Sequence, residues 1–228
     1  LGITGGIAAY KAADLARLLT RDGHTVRCIL TEAGARFITP LTLASLTGEP
    51  CSGANPDAHE WRANPVVEHI DLARWADVVA VVPATANSLG KAAHGLADDL
   101  LSTVLLATRA PILWAPAMNT AMWEHPAVQA NVATLRSFGH AFVEPAEGLL
   151  ACGEEGAGKL ADIAWIADAF QALGSPRLAT LEGRKVLITG GPTCEDLDPV
   201  RTLTNRSTGA MGVELARALR DRGADVCL

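Results

Sequence analysis

The chain has 228 residues, a net charge of −6, 49% hydrophobic residues and 19% charged ones. That is the profile of a compact fold with a real core rather than a disordered chain, and without a Lys/Arg run it lacks the footprint of a nucleic-acid binder. Five scattered Cys with no CxxC spacing argue against a zinc site or a disulfide framework and for a reducing cytoplasm; no apolar run reaches the length of a membrane span and no charged n-region marks a signal peptide.

Residues 1–4 read as a short apolar strand. Gly5-Gly6 turns it into a helix with Ala12, Leu15, Leu18 and Leu19 on one face, stopped at Gly23. Residues 26–30 form the second strand. Residues 78–82 are an unbroken apolar run, as expected of a strand buried on both faces, and residues 112–115 are another. Each is followed by a turn and a helical pattern, first through Pro83-Ala84-Thr85-Ala86-Asn87, then through Pro116-Ala117-Met118-Asn119. Strands alternating with helices predict an α/β fold, a Rossmann-like (flavodoxin-like) parallel sheet with helices on both faces.

Leu173-Gly174-Ser175-Pro176 breaks a helix, and a new strand begins at Lys185. The C-terminal segment from that strand onward echoes the N-terminal one. Ile3-Thr4-Gly5-Gly6 matches Ile188-Thr189-Gly190-Gly191, 185 positions on, and Leu15-Ala16-Arg17-Leu18-Leu19 matches Leu215-Ala216-Arg217-Ala218-Leu219, 200 positions on. The second unit therefore carries a 15-residue insertion between its Gly-Gly turn and its helix, roughly residues 192–206. The expected organisation is a first domain at 1–172, a linker at 173–184 and the first unit of a second Rossmann-like domain at 185–228. The chain opens and closes inside strands, so the natural polypeptide is expected to extend at both ends.

The chemistry-bearing motifs each have an ordinary structural reading. Gly5-Gly6 after a strand and before a helix suits a phosphate, since glycines let backbone approach and the helix start offers free N–H groups. A tight turn needs glycine without any ligand, and the spaced glycines of a dinucleotide site are absent. Thr85-Ala86-Asn87-Ser88 lies past a strand end, where open α/β sheets bind ligands; helix capping is the plainer explanation. Asn119 could hold a carboxylate through its NH₂ donors, with Met118, Met122 and Trp123 as walls or simply core. His69 suits proton transfer near neutral pH, although a lone His is usually structural. Cys152 sits in Ala151-Cys152-Gly153-Glu154-Glu155-Gly156-Ala157-Gly158, read as a mobile glycine-rich loop with an exposed thiol.

Together these motifs resemble the flavin-containing cysteine decarboxylases, the group of phosphopantothenoylcysteine decarboxylase. The resemblance rests on Gly5-Gly6-Ile7-Ala8-Ala9-Tyr10-Lys11, Thr31-Glu32-Ala33 with Phe37-Ile38-Thr39-Pro40, His69-Ile70-Asp71-Leu72, Pro83-Ala84-Thr85-Ala86-Asn87, Pro116-Ala117-Met118-Asn119 and Ala151-Cys152-Gly153. It covers roughly residues 1–170 in order. It implies FMN as cofactor, held by Gly5, Gly6, Ile7, Thr31, Phe37, Thr85, Ala86, Asn87 and Ala117. It implies oxidation at the carbon bearing the cysteine sulfur with His69 as base, loss of carbon dioxide from a carboxylate held by Asn119, and re-reduction with Cys152 donating the proton. Met122 and Ala151 join Asn119 on the substrate side. The protein supplies position and protons while the flavin does the redox work. No metal site is implied, and homo-oligomers, trimers or dodecamers, are.

The C-terminal segment resembles the beginning of phosphopantothenate–cysteine ligase, fused behind the decarboxylase in many bacteria. Gly191-Pro192-Thr193, Leu197-Asp198-Pro199-Val200-Arg201 and Asn205-Arg206-Ser207-Thr208-Gly209 carry it, with Arg201 and Asn205 as its site residues. Cys194 and Ala210 depart from that family, which has Arg and Lys there. Mg²⁺ and CTP are expected only for the remainder of a ligase. The implied activity is decarboxylation of phosphopantothenoylcysteine to phosphopantetheine in coenzyme A biosynthesis. The rival is oxidative decarboxylation of a peptide's C-terminal cysteine, as in lantibiotic maturation, which stops at the enethiol and has no need of Cys152. A non-catalytic regulatory flavoprotein subunit and a prenyltransferase-type relative are disfavoured by the His69, Asn119 and Cys152 motifs.

Overall fold

The chain's apolar runs and amphipathic helices build a doubly wound sheet. A computed structural model describes residues 1–53, 68–151, 153–174 and 181–228. By contacts the chain divides into two units, Leu1–Gly174 and Ser175–Leu228.

In the first unit β1 (Gly2–Ile3) leads through a 3-10 turn (Ile7–Tyr10) into α1 (Lys11–Arg21), then β2 (Cys28–Leu30), α2 (Pro40–Thr47) and β3 (Cys51–Ser52). There follow α3 (Glu68–Trp75), β4 (Val79–Ala84), α4 (Ala86–Ala93), α5 (Leu100–Ala107) and β5 (Ile112–Pro116). The unit closes with α6 (Thr120–Trp123), α7 (Pro126–Ser137), β6 (Ala141–Phe142), the hairpin β7 (Ala146–Leu149) and β8 (Glu155–Lys159), and α8 (Ile163–Gly174). The sheet order is β3-β2-β1-β4-β5-β6, and every pairing in it is parallel.

Burial explains the layers. All residues of β4 and β5 are buried, so side chains alternate between two cores. Ala80, Val82, Leu113 and Ala115 pack with Leu15 and Leu19 of α1, Leu43 of α2 and Ile166 of α8. Val79, Val81, Ile112 and Trp114 pack with Leu72 of α3, Leu89 of α4, Leu101 and Val104 of α5 and Leu135 of α7. In α1 the buried Ala12, Leu15, Ala16 and Leu19 repeat at helical spacing, and Gly23, at φ 92°, follows the helix end. Truncating a fully buried leucine such as Leu15 to Ala is expected to cost about 2–5 kcal/mol.

Several elements differ from the sequence reading: the first strand is Gly2–Ile3 rather than residues 1–4, and β5 runs one residue further, to Pro116. The second strand is Cys28–Leu30, shorter than residues 26–30. β4 runs on through Pro83 to Ala84, which pairs with Pro116 after a register shift; Pro83 has no N–H, but the ladder there uses carbonyls, and Ala117 N–H donates to the Ala84 carbonyl at 3.0 Å. The glycine-rich stretch after Cys152 is not a loop. It is strand β8, paired antiparallel with β7, and the turn between them is closed by Leu150 N–H to Glu154 O at 2.8 Å.

In the second unit β9 (Lys185–Leu187) pairs in parallel with β12 (Asp225–Cys227), with α9 (Ala210–Asp221) between them in sequence. The 15-residue insertion is an antiparallel hairpin, β10 (Cys194–Asp196) and β11 (Thr202–Thr204). Gly190 and Gly212 face each other across the turn: a Cβ on Gly212 would stand 3.3 Å from the Gly190 Cα.

Candidate functional site

In a doubly wound sheet the order of strands reverses at one point, and the loops on either side leave toward opposite faces, opening a crevice at the strand C-termini. Here that point lies between β1 and β4. The turn after β1 runs to α1 on one face, and the turn after β4 runs to α4 on the other.

The two glycines of the first turn have different reasons to be glycine. A Cβ on Gly5 would overlap the Ala33 methyl and lie 3.0 Å from that residue's backbone carbon, so packing alone requires glycine. Gly6 has φ −161° and ψ 159°, an extended conformation open to any residue, and its nearest neighbour to a Cβ is Thr85 Cγ2 at 4.0 Å. Nothing in the protein forbids a side chain there. Gly6 leaves open space between the two turns. Ile7, 59% exposed in the turn after β1, and Phe37, 46% exposed in the segment after β2, offer apolar faces.

Thr31 holds the β2 exit against β1. Its hydroxyl donates to the Ile3 carbonyl at 3.2 Å and accepts from Gly34 N–H at 3.1 Å. Thr85 is the N-cap of α4, its Oγ1 accepting from Ser88 N–H at 3.3 Å, so the capping reading is correct for it. Asn87, in the first turn of α4, is exposed. Thr4 was not singled out in the sequence, yet it ties the two turns together. Its buried hydroxyl donates to the Pro83 carbonyl at 2.6 Å and accepts from Thr85 N–H at 3.2 Å. The available signal was its place directly before Gly5-Gly6 at a strand end.

The turn after β5 carries Ala117 and Asn119. Asn119 caps α6, and its Oδ1 accepts from Met122 N–H at 2.9 Å. That bond commits the oxygen and fixes the amide's orientation, and among the described residues the Nδ2 donors have no partner. Met122 is 47% exposed. Strand β8 packs on this turn. Met118 N–H donates to the Gly158 carbonyl at 3.0 Å. A Cβ on Gly158, at φ 135°, would overlap the Met118 carbonyl oxygen, and one on Gly156 would lie 2.5 Å from Thr120 Oγ1. These glycines bring the hairpin's backbone against the Asn119 turn. Thr120 Oγ1 is left buried without a hydrogen-bond partner. The hairpin's tip carries exposed Ala151; Cys152 lies outside the described residues.

His69 is the second residue of α3 and is half-buried, with no hydrogen-bond partner among the described residues. α3 leads into β4 antiparallel to the sheet, so its first turn is the one nearer the strand C-termini. In the second unit Arg201 Nε donates to Asp198 Oδ2 at 2.6 Å, and backbone N–H groups of Val200 and Arg201 bond Oδ1, which together hold the Asp198 carboxyl below the usual range. Asn205 bridges Ser207 N–H and Thr193 Oγ1. Cys194 is exposed on β10, and Ala210 opens α9.

The sequence profile of the flavoprotein family matches residues 1–174. The chain belongs to the flavoprotein family. Residues 181–228 match the DNA/pantothenate metabolism flavoprotein C-terminal domain. All of this flavoprotein chain aligns with the coenzyme A biosynthesis bifunctional protein CoaBC of Bacillus subtilis, 46% identical over 229 residues and 56% of that protein. It aligns likewise with the CoaBC of Mycobacterium tuberculosis, 47% identical over 232 residues and 54% of that protein. The chain thus spans about half the length of the curated relatives it matches. Among solved structures it resembles a PPC decarboxylase variant complexed with pantothenoylaminoethenethiol, with TM-score 0.67 and 32% identity over 75% of this chain and 93% of that one. It also resembles the FMN-dependent cysteine decarboxylase SpaF, with TM-score 0.65 and 34% identity over 76% and 95% of the two chains.

Proposed function

We propose that this chain binds FMN and decarboxylates phosphopantothenoylcysteine to phosphopantetheine, as the decarboxylase part of a bifunctional coenzyme A biosynthesis protein. The observation that carries the reading is the Asn119 turn. Its amide oxygen is spent on the α6 cap, so its donors remain for a substrate carboxylate, at a strand end on the same edge of the sheet as the Gly6 crevice. The alignment of the whole chain with CoaBC proteins supports the substrate class.

The residues present fit a flavin. Gly6 leaves the space that a Cβ would fill, and the Ala86 and Asn87 N–H groups, unlike those of Thr85 and Ser88, have no partner among the described residues and are left for a polar edge or phosphate. Gly5, Gly6, Ile7, Thr31, Phe37, Thr85, Ala86, Asn87 and Ala117 would hold it. Bound there, the flavin supplies reversible two-electron oxidation of the substrate carbon next to sulfur. Asn119 orients the carboxylate, with Met122 and Ala151 beside it, so that carbon dioxide leaves toward the crevice. His69 would accept the thiol proton as the carbon bonded to that sulfur gives up a hydride equivalent. Cys152, which lies outside the described residues, returns a proton to the product, the role that the resemblance gives it.

A second reading, oxidative decarboxylation of a peptide's C-terminal cysteine, is favoured by the similarity to SpaF. Cys152 and the ligase-like second unit speak for the first. We assign the decarboxylase part to residues 1–172, a join to 173–184 and the ligase-like part to 185–228, where Arg201 and Asn205 would serve a ligase site needing Mg²⁺ and CTP. The free thiols among the described cysteines suit a reducing cytoplasm, and exposed Ile7 and Phe37 suit a homo-oligomer closing over the crevice. The test is direct. The purified chain is expected to be yellow and to release FMN, and not FAD, on denaturation. A colourless protein that takes up no added FMN contradicts the proposal.

A further inference from the structure

β1 and β4 pair at Gly2 and Val81, and no further register pair joins them among the described residues. Pro83 has no N–H to contribute to a backbone ladder there. Next to it stand the Pro83 carbonyl and the Thr85 N–H. Both are met by one side chain. Thr4 Oγ1 donates to Pro83 O at 2.6 Å and accepts from Thr85 N–H at 3.2 Å, in a residue only 3% exposed. Immediately after Thr4 comes the Gly5-Gly6 turn, and Thr85 is the cap that starts α4. On the other flank the Ile3 carbonyl accepts from both Thr31 N–H, at 3.0 Å, and Thr31 Oγ1, at 3.2 Å. The exit of β1 is thus pinned on both sides.

We propose that Thr4 is a positioning residue for the cofactor: its hydroxyl sets the separation between the Gly5-Gly6 turn and the Thr85 cap, and FMN affinity depends on it. The inference rests on the FMN reading above. Thr4 is buried beneath the crevice and acts through Thr85 and the Gly5-Gly6 turn. A valine has the same shape but no hydroxyl. It leaves the buried Pro83 carbonyl and the part-buried Thr85 N–H without this partner, and the carbonyl can recover solvent only if the turns move apart. Serine keeps both hydrogen bonds and loses only a methyl.

The experiment titrates the deflavinated full chain with FMN, for the parent, Thr4→Val and Thr4→Ser. It reads the dissociation constant on folded protein, the absorption envelope of bound flavin, and the thermal midpoint of the apoprotein. Thr4→Val is expected to weaken FMN binding by about tenfold or more and to shift the flavin envelope, while Thr4→Ser stays within about threefold of the parent. A folded Thr4→Val with parent affinity and an unchanged envelope overturns the proposal, even if its thermal midpoint falls, because that is the pattern of a merely structural role. An equal loss in Thr4→Ser also overturns it, by making the methyl rather than the hydroxyl responsible. Should Thr4→Val not fold, Thr4→Ala against Thr4→Ser makes the same comparison of hydroxyl with none. A parent chain that takes up no FMN overturns both the functional reading and this one; a variant result overturns only this one.

Discussion

Replacing Gly6 with Ala separates a ligand's requirement for glycine from the protein's own. At φ −161° the new residue is conformationally allowed, and its Cβ meets nothing closer than Thr85 Cγ2 at 4.0 Å. The folded state therefore loses nothing, and the unfolded chain loses freedom, which is worth about 0.4–1 kcal/mol to stability. The apoprotein's thermal midpoint should stay or rise by about 1–4 °C. FMN binding should fall by about tenfold or more, a loss of about 1.4 kcal/mol, because the methyl occupies space the cofactor needs. Gly5→Ala is the control with the opposite cause: its Cβ overlaps Ala33, so it should destabilise the apoprotein itself by about 1–3 kcal/mol. Thermal unfolding without flavin and fluorescence titration with FMN read the two effects apart. Parent-like FMN affinity in Gly6→Ala would show that the open space at Gly6 is not the cofactor's.

Gly158→Ala should loosen the β7–β8 hairpin from the Asn119 turn, since its Cβ overlaps the Met118 carbonyl oxygen; proteolysis between residues 149 and 155 should quicken while FMN stays bound, and an unchanged cleavage pattern would refute the bracing role. Burial lowers the pKa of His140, whose Nδ1 accepts from Trp114 Nε1–H at 3.0 Å. The neutral ring is the folded form, so its stabilising contribution is complete above the ordinary histidine pKa of about 6.5 and is lost as pH falls through the lowered folded value. Urea midpoints should therefore drop as pH falls from about 6.5 toward the lowered folded value, and His140→Asn, whose Oδ1 can replace the acceptor, should flatten that part of the profile; an equal drop in the variant would refute the assignment. Cys152→Ser supplies a far weaker acid, so carbon dioxide should still leave while an enethiol accumulates, and fully reduced product at the parent rate would make Cys152 a bystander.

The unbroken apolar run around residues 78–82 and the helical repeat through Leu15 and Leu19 declared the buried sheet and its covering helices, because burial on both faces leaves no polar position to choose. The echo of Ile3-Thr4-Gly5-Gly6 at Ile188 likewise pointed to a second parallel unit, and the insertion within it forms the β10–β11 hairpin. Strand order was not readable, since which strand neighbours β1 depends on how the crossovers pack. β8 was missed because Glu155-Gly156-Ala157-Gly158 has the composition of a loop; its glycines answer to a close approach by Met118 and Thr120, which is tertiary. The Gly5-Gly6 pair looked like one signal, and only Ala33 and Thr85 divide it into a packing glycine and an open one. Asn119 shows that a cap need not spend the whole side chain: the cap uses Oδ1 and leaves Nδ2. Thr4 carried no motif of its own, because its importance comes from partners about eighty positions away.

The central claim is the reaction, and mass spectrometry of phosphopantothenoylcysteine incubated with the purified, FMN-loaded chain tests it most directly. The account predicts a product that has lost carbon dioxide and no hydrogens beyond it, phosphopantetheine, formed by the parent and not by His69→Ala that still holds flavin. Unchanged substrate, or a product that stays two hydrogens short in the parent itself, would contradict it.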